Sequence, residues 1–197
     1  MADQLAFPGF NPEPPRGPPT DRLLFAIFPD PVTAARIARL AQSLIDEHRF
    51  KRRPLAAERL HVTLHHLGDY HGLPQDLVAA AMEAAAAVAM PSFDAKFDRV
   101  ASFRGRPGNQ PLVLRGSDGL AALAAFQQAL GAAMTQAGLG RRVDRQFTPH
   151  VTLLYNDRGF IEQAIEPIAW TAREFVLLHS LLGQTRHIPL ARWPLSG

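Results

Sequence analysis

The spacing of apolar and polar positions changes character several times along this 197-residue chain. Arg22–Phe28 is a short apolar run that ends at Pro29, the mark of a buried strand. Asp30 then precedes Pro31, an N-cap followed by proline at the first helical position. From Val32 to about His48, Ile37, Leu40, Leu44 and Ile45 recur at helical spacing. Pro54 interrupts the chain, and Leu60–Leu67 is expected to form a second strand stopped by Gly68. Pro74–Met90 is an Ala-rich helix closed by Pro91. Phe93, Ala95 and Phe97 alternate with Asp94, Lys96 and Asp98, which is strand periodicity. After a Gly/Pro loop at Arg104–Gln110 come a strand at Leu112–Arg115 and a helix at Leu120–Ala137, with Asp118 near its start and Gly138 at its end. Phe147–Tyr155, Trp170–Leu182 and His187–Trp193 are expected strands, and Asn156–Ile168, which has no clear period, is expected to be a loop. Strand, helix, strand and helix are followed by strand, strand, helix and strand, so the chain divides into two similar halves.

Composition narrows the classes. Hydrophobic residues make up 47%, enough for a core. There is no cysteine, which excludes disulfides, zinc-thiolate sites and a thiol nucleophile. Residues 1–20 hold six prolines and two glycines and are expected to form a disordered arm. They lack the apolar core of a secretory signal, and the Ala-rich stretch Leu77–Met90 is too short to span a bilayer, so a cytoplasmic location without membrane contact is expected. Net charge is +3, yet 19 of the 21 basic side chains are arginine, the residue that grips phosphate with a planar fork. Arg49–Arg53 and Arg141, Arg142 and Arg145 each lie shortly before a repeated motif, where they would steer an anionic substrate.

That motif carries the chemistry. His-Val-Thr-Leu occurs at His61–Leu64 and again at His150–Leu153. In a strand, side chains two apart share a face. His61 and Thr63 then project together, as do His150 and Thr152, while the intervening Val and Leu turn inward. Two such strands facing one another give a single cleft two imidazoles and two hydroxyls. Histidine titrates near pH ~6.5, so one ring can take a proton from water while the other gives one to a leaving oxygen. The hydroxyls can donate to phosphate oxygens as charge builds there. This is the equipment of a phosphoesterase that needs no metal and no cofactor. His61 and His65 are four apart, a metal-binding spacing only on a helix, and the pattern here is a strand. If that strand stays regular, His65 shares the cleft face and His66 turns away. His179 and His187 are expected to be surface or satisfied histidines.

On these residues the chain resembles the two-histidine (2H) phosphoesterase superfamily, whose signature is a pair of His-x-Thr/Ser-x motifs. It is most similar to the bacterial RNA 2′,3′-cyclic phosphodiesterase, or 2′-5′ RNA ligase-like, family. His61–Leu64 running on to Leu67-Gly68 matches the first motif, and Phe147-Thr148-Pro149-His150 leads into the second. The resemblance covers about residues 21–193. It implies an α+β, bilobal fold with two pseudo-symmetric antiparallel sheets around a central groove and helices outside, formed by residues 21–197 as a single domain. It implies hydrolysis of an RNA or nucleotide 2′,3′-cyclic phosphate to a 2′-phosphate, with 2′-5′ ligation as a weak reverse reaction. His61 would be the acid for the leaving 3′-oxygen, His150 the base that activates water, and Thr63 and Thr152 the phosphate anchors. Family members often carry arginine where this chain has Tyr155, which can still donate a hydrogen bond or stack on a base. That departure leaves two further readings open: an RNA-binding module with little turnover, or a phosphodiesterase for another small cyclic phosphate. A monomer is expected.

Overall fold

Strand β1 (Asp21–Ile27) turns Leu23, Phe25 and Ile27 into the main core and Leu24 and Ala26 to the other face, where they meet Val176, Leu178 and Phe28. The computed structural model to which it belongs describes residues 17–106 and 108–196, so most of the expected Pro-rich arm lies outside the described residues. Asp30 caps helix α1 (Pro31–His48) as expected, its carboxylate accepting from the Val32 and Thr33 amides at 3.0 Å. Strand β2 (Val62–Tyr70) follows a 3₁₀ turn at Ala57–Arg59. Helix α2 (Gln75–Ala86) stops short of Met90, because the chain is drawn extended ahead of Pro91 into β3 (Phe93–Ser102). Strand β4 (Gln110–Arg115) and helix α3 (Ala121–Gln136) come next, and no side chain, Asp118 included, caps the start of α3. The last strands are β5 (His150–Asn156), β6 (Gln163–Ala172), β7 (Glu174–Leu181) and β8 (Arg186–Pro194).

Two expectations fail here. Gln163–Ile168, expected as loop, is the first half of β6. It runs along the edge of its sheet, where both faces carry polar residues and no alternation shows, and Pro167 is tolerated because an edge strand has a free side. The single strand expected at Trp170–Leu182 is two strands. The chain leaves one sheet at Ala172 and joins the other at Glu174, without a turn residue to announce the crossing.

The fold is α+β. Two four-stranded antiparallel sheets have the orders β2-β1-β7-β8 and β5-β4-β3-β6, and they correspond strand for strand, with β2 answering to β5 and β1 to β4. One continuous core draws on both sheets and on all three helices, including Phe25, Ile37, Val78, Phe97 and Phe126. Helix α1 packs against β5 and β6 of the second sheet, and α3 touches β2 and β3, so the helices tie the two halves together. Burial at about 25 cal/mol per Å² makes this shared core the main source of stability. Among the described residues, no helix is long and apolar enough to cross a membrane.

Candidate active site

The repeated motif lies on β2 and β5, and each copy carries a bulge at the same place. On β2, Thr63 pairs with Ala26 and His65 with Phe25, which leaves Leu64 unpaired. On β5, Thr152 pairs with Val113 and Leu154 with Leu112, which leaves Leu153 unpaired. A bulge adds a residue to one strand and reverses the faces beyond it. His65 is therefore fully buried, and His66 takes the cleft face. This reverses the expectation from a regular strand. The same offset makes Tyr155 the counterpart of His66, and both line one cavity. Gly68 does not end β2; it sits within the strand at φ +139°.

That cavity has a volume of about 380 Å³ and brings together His61, Thr63, His150, Thr152 and Tyr155. All five residues expected to form the site thus meet in one place. The two histidines are held alike. His61 Nδ1 lies 2.7 Å from the Arg59 carbonyl oxygen, and His150 Nδ1 lies 2.7 Å from that of Thr148. A carbonyl can only accept, so each Nδ1 carries the proton and donates it. Each Nε2 is left to exchange protons with whatever occupies the cavity, as a lone pair when the ring is neutral and as N–H when it is charged. Burial pushes the pKa of both rings below the usual histidine value, and the opposing His150, Arg59 and Arg22 charges press His61 down further. Phe28 stands against His61 at 5.7 Å between ring centres, and Phe103 against His150 at 4.9 Å.

Other residues enter the cavity that the sequence did not single out. Arg22 reaches in from β1, tied to Asp69 by two hydrogen bonds of 2.7 Å. His66 Nε2 lies 2.8 Å from the same carboxylate, and Tyr155 is close enough to act on the Arg22 charge. Arg59 enters beside His61. It is the last residue of the 3₁₀ turn that precedes β2, two residues before that histidine. His187, expected to be satisfied or at the surface, packs edge-on against His61 at 5.3 Å, and its buried Nδ1 has no partner. Burial, with His61 and Arg59 nearby, pushes His187 down to about 4. No local pattern marks it; only sheet pairing brings β8 to this place.

The two basic clusters do not line the cavity. Lys51, Arg52 and Arg53 are exposed, and Arg142 instead donates to the Leu67 carbonyl at 2.7 Å while covering the Tyr70 ring. Buried His65 is a structural fastener. Its Nδ1 accepts from the Asp144 amide at 3.1 Å and its Nε2 donates to the Gln127 carbonyl at 3.0 Å. His61 and His65 therefore face opposite sides of β2 and cannot share a metal. His179 is satisfied as expected, 2.6 Å from Asp21.

The model of the 2′-5′ RNA ligase superfamily matches residues 28–184, a span that includes both His-Val-Thr-Leu motifs. E. coli LigT complexed with 3′-AMP is 25% identical, with a TM-score of 0.68 over 91% of this chain and 99% of that one. TT0787 of Thermus thermophilus is 19% identical, with a TM-score of 0.71 over 89% of this chain and 98% of that one, and shares the fold. Usb1 of Kluyveromyces marxianus, 13% identical with a TM-score of 0.51, covers 90% of this chain and 99% of its own. No curated protein matches the chain in sequence.

Proposed function

Because this chain belongs to the 2′-5′ RNA ligase superfamily of two-histidine phosphoesterases, we propose that it hydrolyses RNA or nucleotide 2′,3′-cyclic phosphates to 2′-phosphates, with His61 and His150 as acid and base. The observation that carries this reading is the matched fixing of both rings. Each Nδ1 is committed to a backbone carbonyl, and both rings share a cavity with two threonine hydroxyls.

The step is an in-line displacement. The His150 Nε2 lone pair takes a proton from water as the water oxygen bonds to phosphorus. The bond from phosphorus to the 3′-oxygen breaks, and His61 Nε2–H protonates that oxygen. The phosphate stays on the 2′-oxygen, and the two histidines end with protonation states exchanged, to be reset by solvent. Thr63 and Thr152 donate to the nonbridging oxygens, and Arg22 adds positive charge at the same cavity. Burial alone would keep His61 neutral near pH 7. A bound phosphate brings negative charge against it and favours the imidazolium that the acid must be. With a 5′-hydroxyl in place of water, the same displacement would leave a 2′-5′ linkage, a weak companion reaction where water is abundant.

Tyr155 favours a second reading, an RNA-binding protein with little turnover, since it brings no charge. The nearby Arg22 weighs against it. The test is turnover of an RNA ending in a 2′,3′-cyclic phosphate by wild type, His61→Ala and His150→Ala. Loss of each proton carrier should lower the rate by ~10²–10⁴-fold. Equal rates in all three proteins would remove the proposal. Tight, salt-sensitive RNA binding without turnover by the wild type would establish the second reading. We further propose that residues 21–197 act as one bilobal domain, monomeric and cytoplasmic.

A further inference from the structure

Among the described residues, two guanidinium groups line the catalytic cavity, and only Arg22 is paired with a carboxylate. Arg22 forms a two-pronged pair with Asp69. Arg59 has no such partner. Among the described residues, no aspartate or glutamate lines this cavity and Arg59 makes no salt bridge. The Arg59 Nε is buried and has no hydrogen-bond acceptor. Arg59 is half-buried, and this donor is free to take an acceptor that enters the cavity.

The two cations reach the site from different elements, and both act on the His61 charge. Arg22 is tied toward His66 and Asp69, beyond Thr63 along β2; His66 alone is three residues on, about 10 Å of strand. Arg59 precedes the strand and neighbours His61 and His187. His187 also borders an adjoining cavity of about 670 Å³. His187 therefore forms part of the wall of both cavities, beside Arg59. A cyclic phosphate held by His61, His150 and the two threonines would lie between the two motifs, with Arg59 on its His61 side.

Taking the proposed phosphodiesterase reading as its premise, we infer that Arg59 binds a second phosphate, the phosphodiester on the 5′ side of the terminal nucleotide, so that the substrate is the end of an RNA strand and not a cyclic mononucleotide. The upstream nucleotide passes His187 into the adjoining cavity. Phe28, Leu178 and Pro189 give that space apolar surface on which a base can pack. Its lining also carries the cations Arg173 and Arg192 and three carboxylates. Asp30 is engaged in capping α1 and Glu174 pairs with Arg192, while Glu58 has no ion pair among the described residues and is free to accept from an amino group.

The test uses binding, which does not depend on turnover. Affinities of adenosine 2′-phosphate and of the dinucleotide ApA carrying the same 2′-phosphate are measured by titration calorimetry at two salt concentrations. The proteins are wild type, Arg59→Gln and Arg59→Lys, each checked for folding by circular dichroism. The wild type should favour the dinucleotide about tenfold. Arg59→Gln should remove most of that preference and weaken the salt dependence of dinucleotide binding. Arg59→Lys should keep part of it. Equal binding of the two ligands by the wild type would overturn the inference while leaving the phosphodiesterase reading in place. So would a preference that survives Arg59→Gln, as it would if the substitution weakened both ligands equally. If the wild type binds neither ligand, the nucleotide reading falls and the inference falls with it.

Discussion

Replacing His65 by leucine separates fold from catalysis in this molecule. Leu154, its counterpart in the repeat, already shows that leucine fits behind the bulge. In His65→Leu the Asp144 amide loses its acceptor at 3.1 Å, and the Gln127 side chain loses a contact of 3.3 Å while keeping the Asp144 carbonyl at 2.8 Å. The Gln127 carbonyl lies within α3 and retains its helical partner. Asp144 is exposed and its bond to His65 only part-buried, so the expected loss at pH 7.5 by urea denaturation is that of one ordinary hydrogen bond, about 0.5–1.5 kcal/mol. The pH dependence should also change. Burial lowers the His65 pKa in the folded protein, against the opposing effect of the Gln127 bond and the Asp144 charge. For a histidine depressed on folding, the stabilisation is complete above the unfolded value of ~6.5 and is lost as pH falls below it. Wild type should therefore lose more stability than His65→Leu between pH 7 and 5. His61, His150 and His187 titrate in both proteins, so the difference isolates His65. A variant as stable as wild type, with the same dependence on pH, would refute this account of the fastener.

Thr63→Val and Thr152→Val should each lower kcat/KM on a cyclic phosphate about threefold to tenfold, the effect of one neutral hydrogen bond of ~0.5–1.5 kcal/mol; a loss as large as that of the histidine variants would give the threonines a greater role. Both rings proposed as acid and base have pKa values lowered by burial in the free protein, so the acid limb of kcat/KM should lie below pH 6.5. The alkaline limb should move up in kcat, which reports the complex, because bound phosphate favours the imidazolium; coincident limbs, or a flat profile from pH 5 to 8, would contradict the mechanism. Gly68→Ala should destabilise the protein by about 1–3 kcal/mol in the same denaturation assay, because its Cβ would strike the Tyr70 hydroxyl and lie 2.8 Å from Arg142, both bonded to the Leu67 carbonyl. A neutral result there would show that Tyr70 and Arg142 can yield.

Much of this was legible in the chain because local rules and tertiary structure agree. The Asp30-Pro31 cap, the periodicity of α1 and the doubled tetrapeptide each depend on neighbours in sequence, and the resemblance carried by the motifs matches the family and the α+β fold. What escaped depends on pairing. The bulges at Leu64 and Leu153 exchange the faces of His65 and His66, and nothing in the residues themselves announces an unpaired position. The edge half of β6 hides because it is wet on both faces. Arg22, Arg59 and His187 come to the cavity from three separate elements, brought there by sheet order. The basic clusters misled for the opposite reason: they are near the motifs in sequence and outside the cavity in space.

The most direct measurement is to incubate EDTA-treated protein with an RNA oligomer ending in a 2′,3′-cyclic phosphate and to identify the new end. The proposed chemistry yields a 2′-phosphate, formed without added metal and blocked by either His61→Ala or His150→Ala. A 3′-phosphate would mean that the leaving oxygen is misassigned, and no product at all would contradict the claim that these two imidazoles cleave this bond.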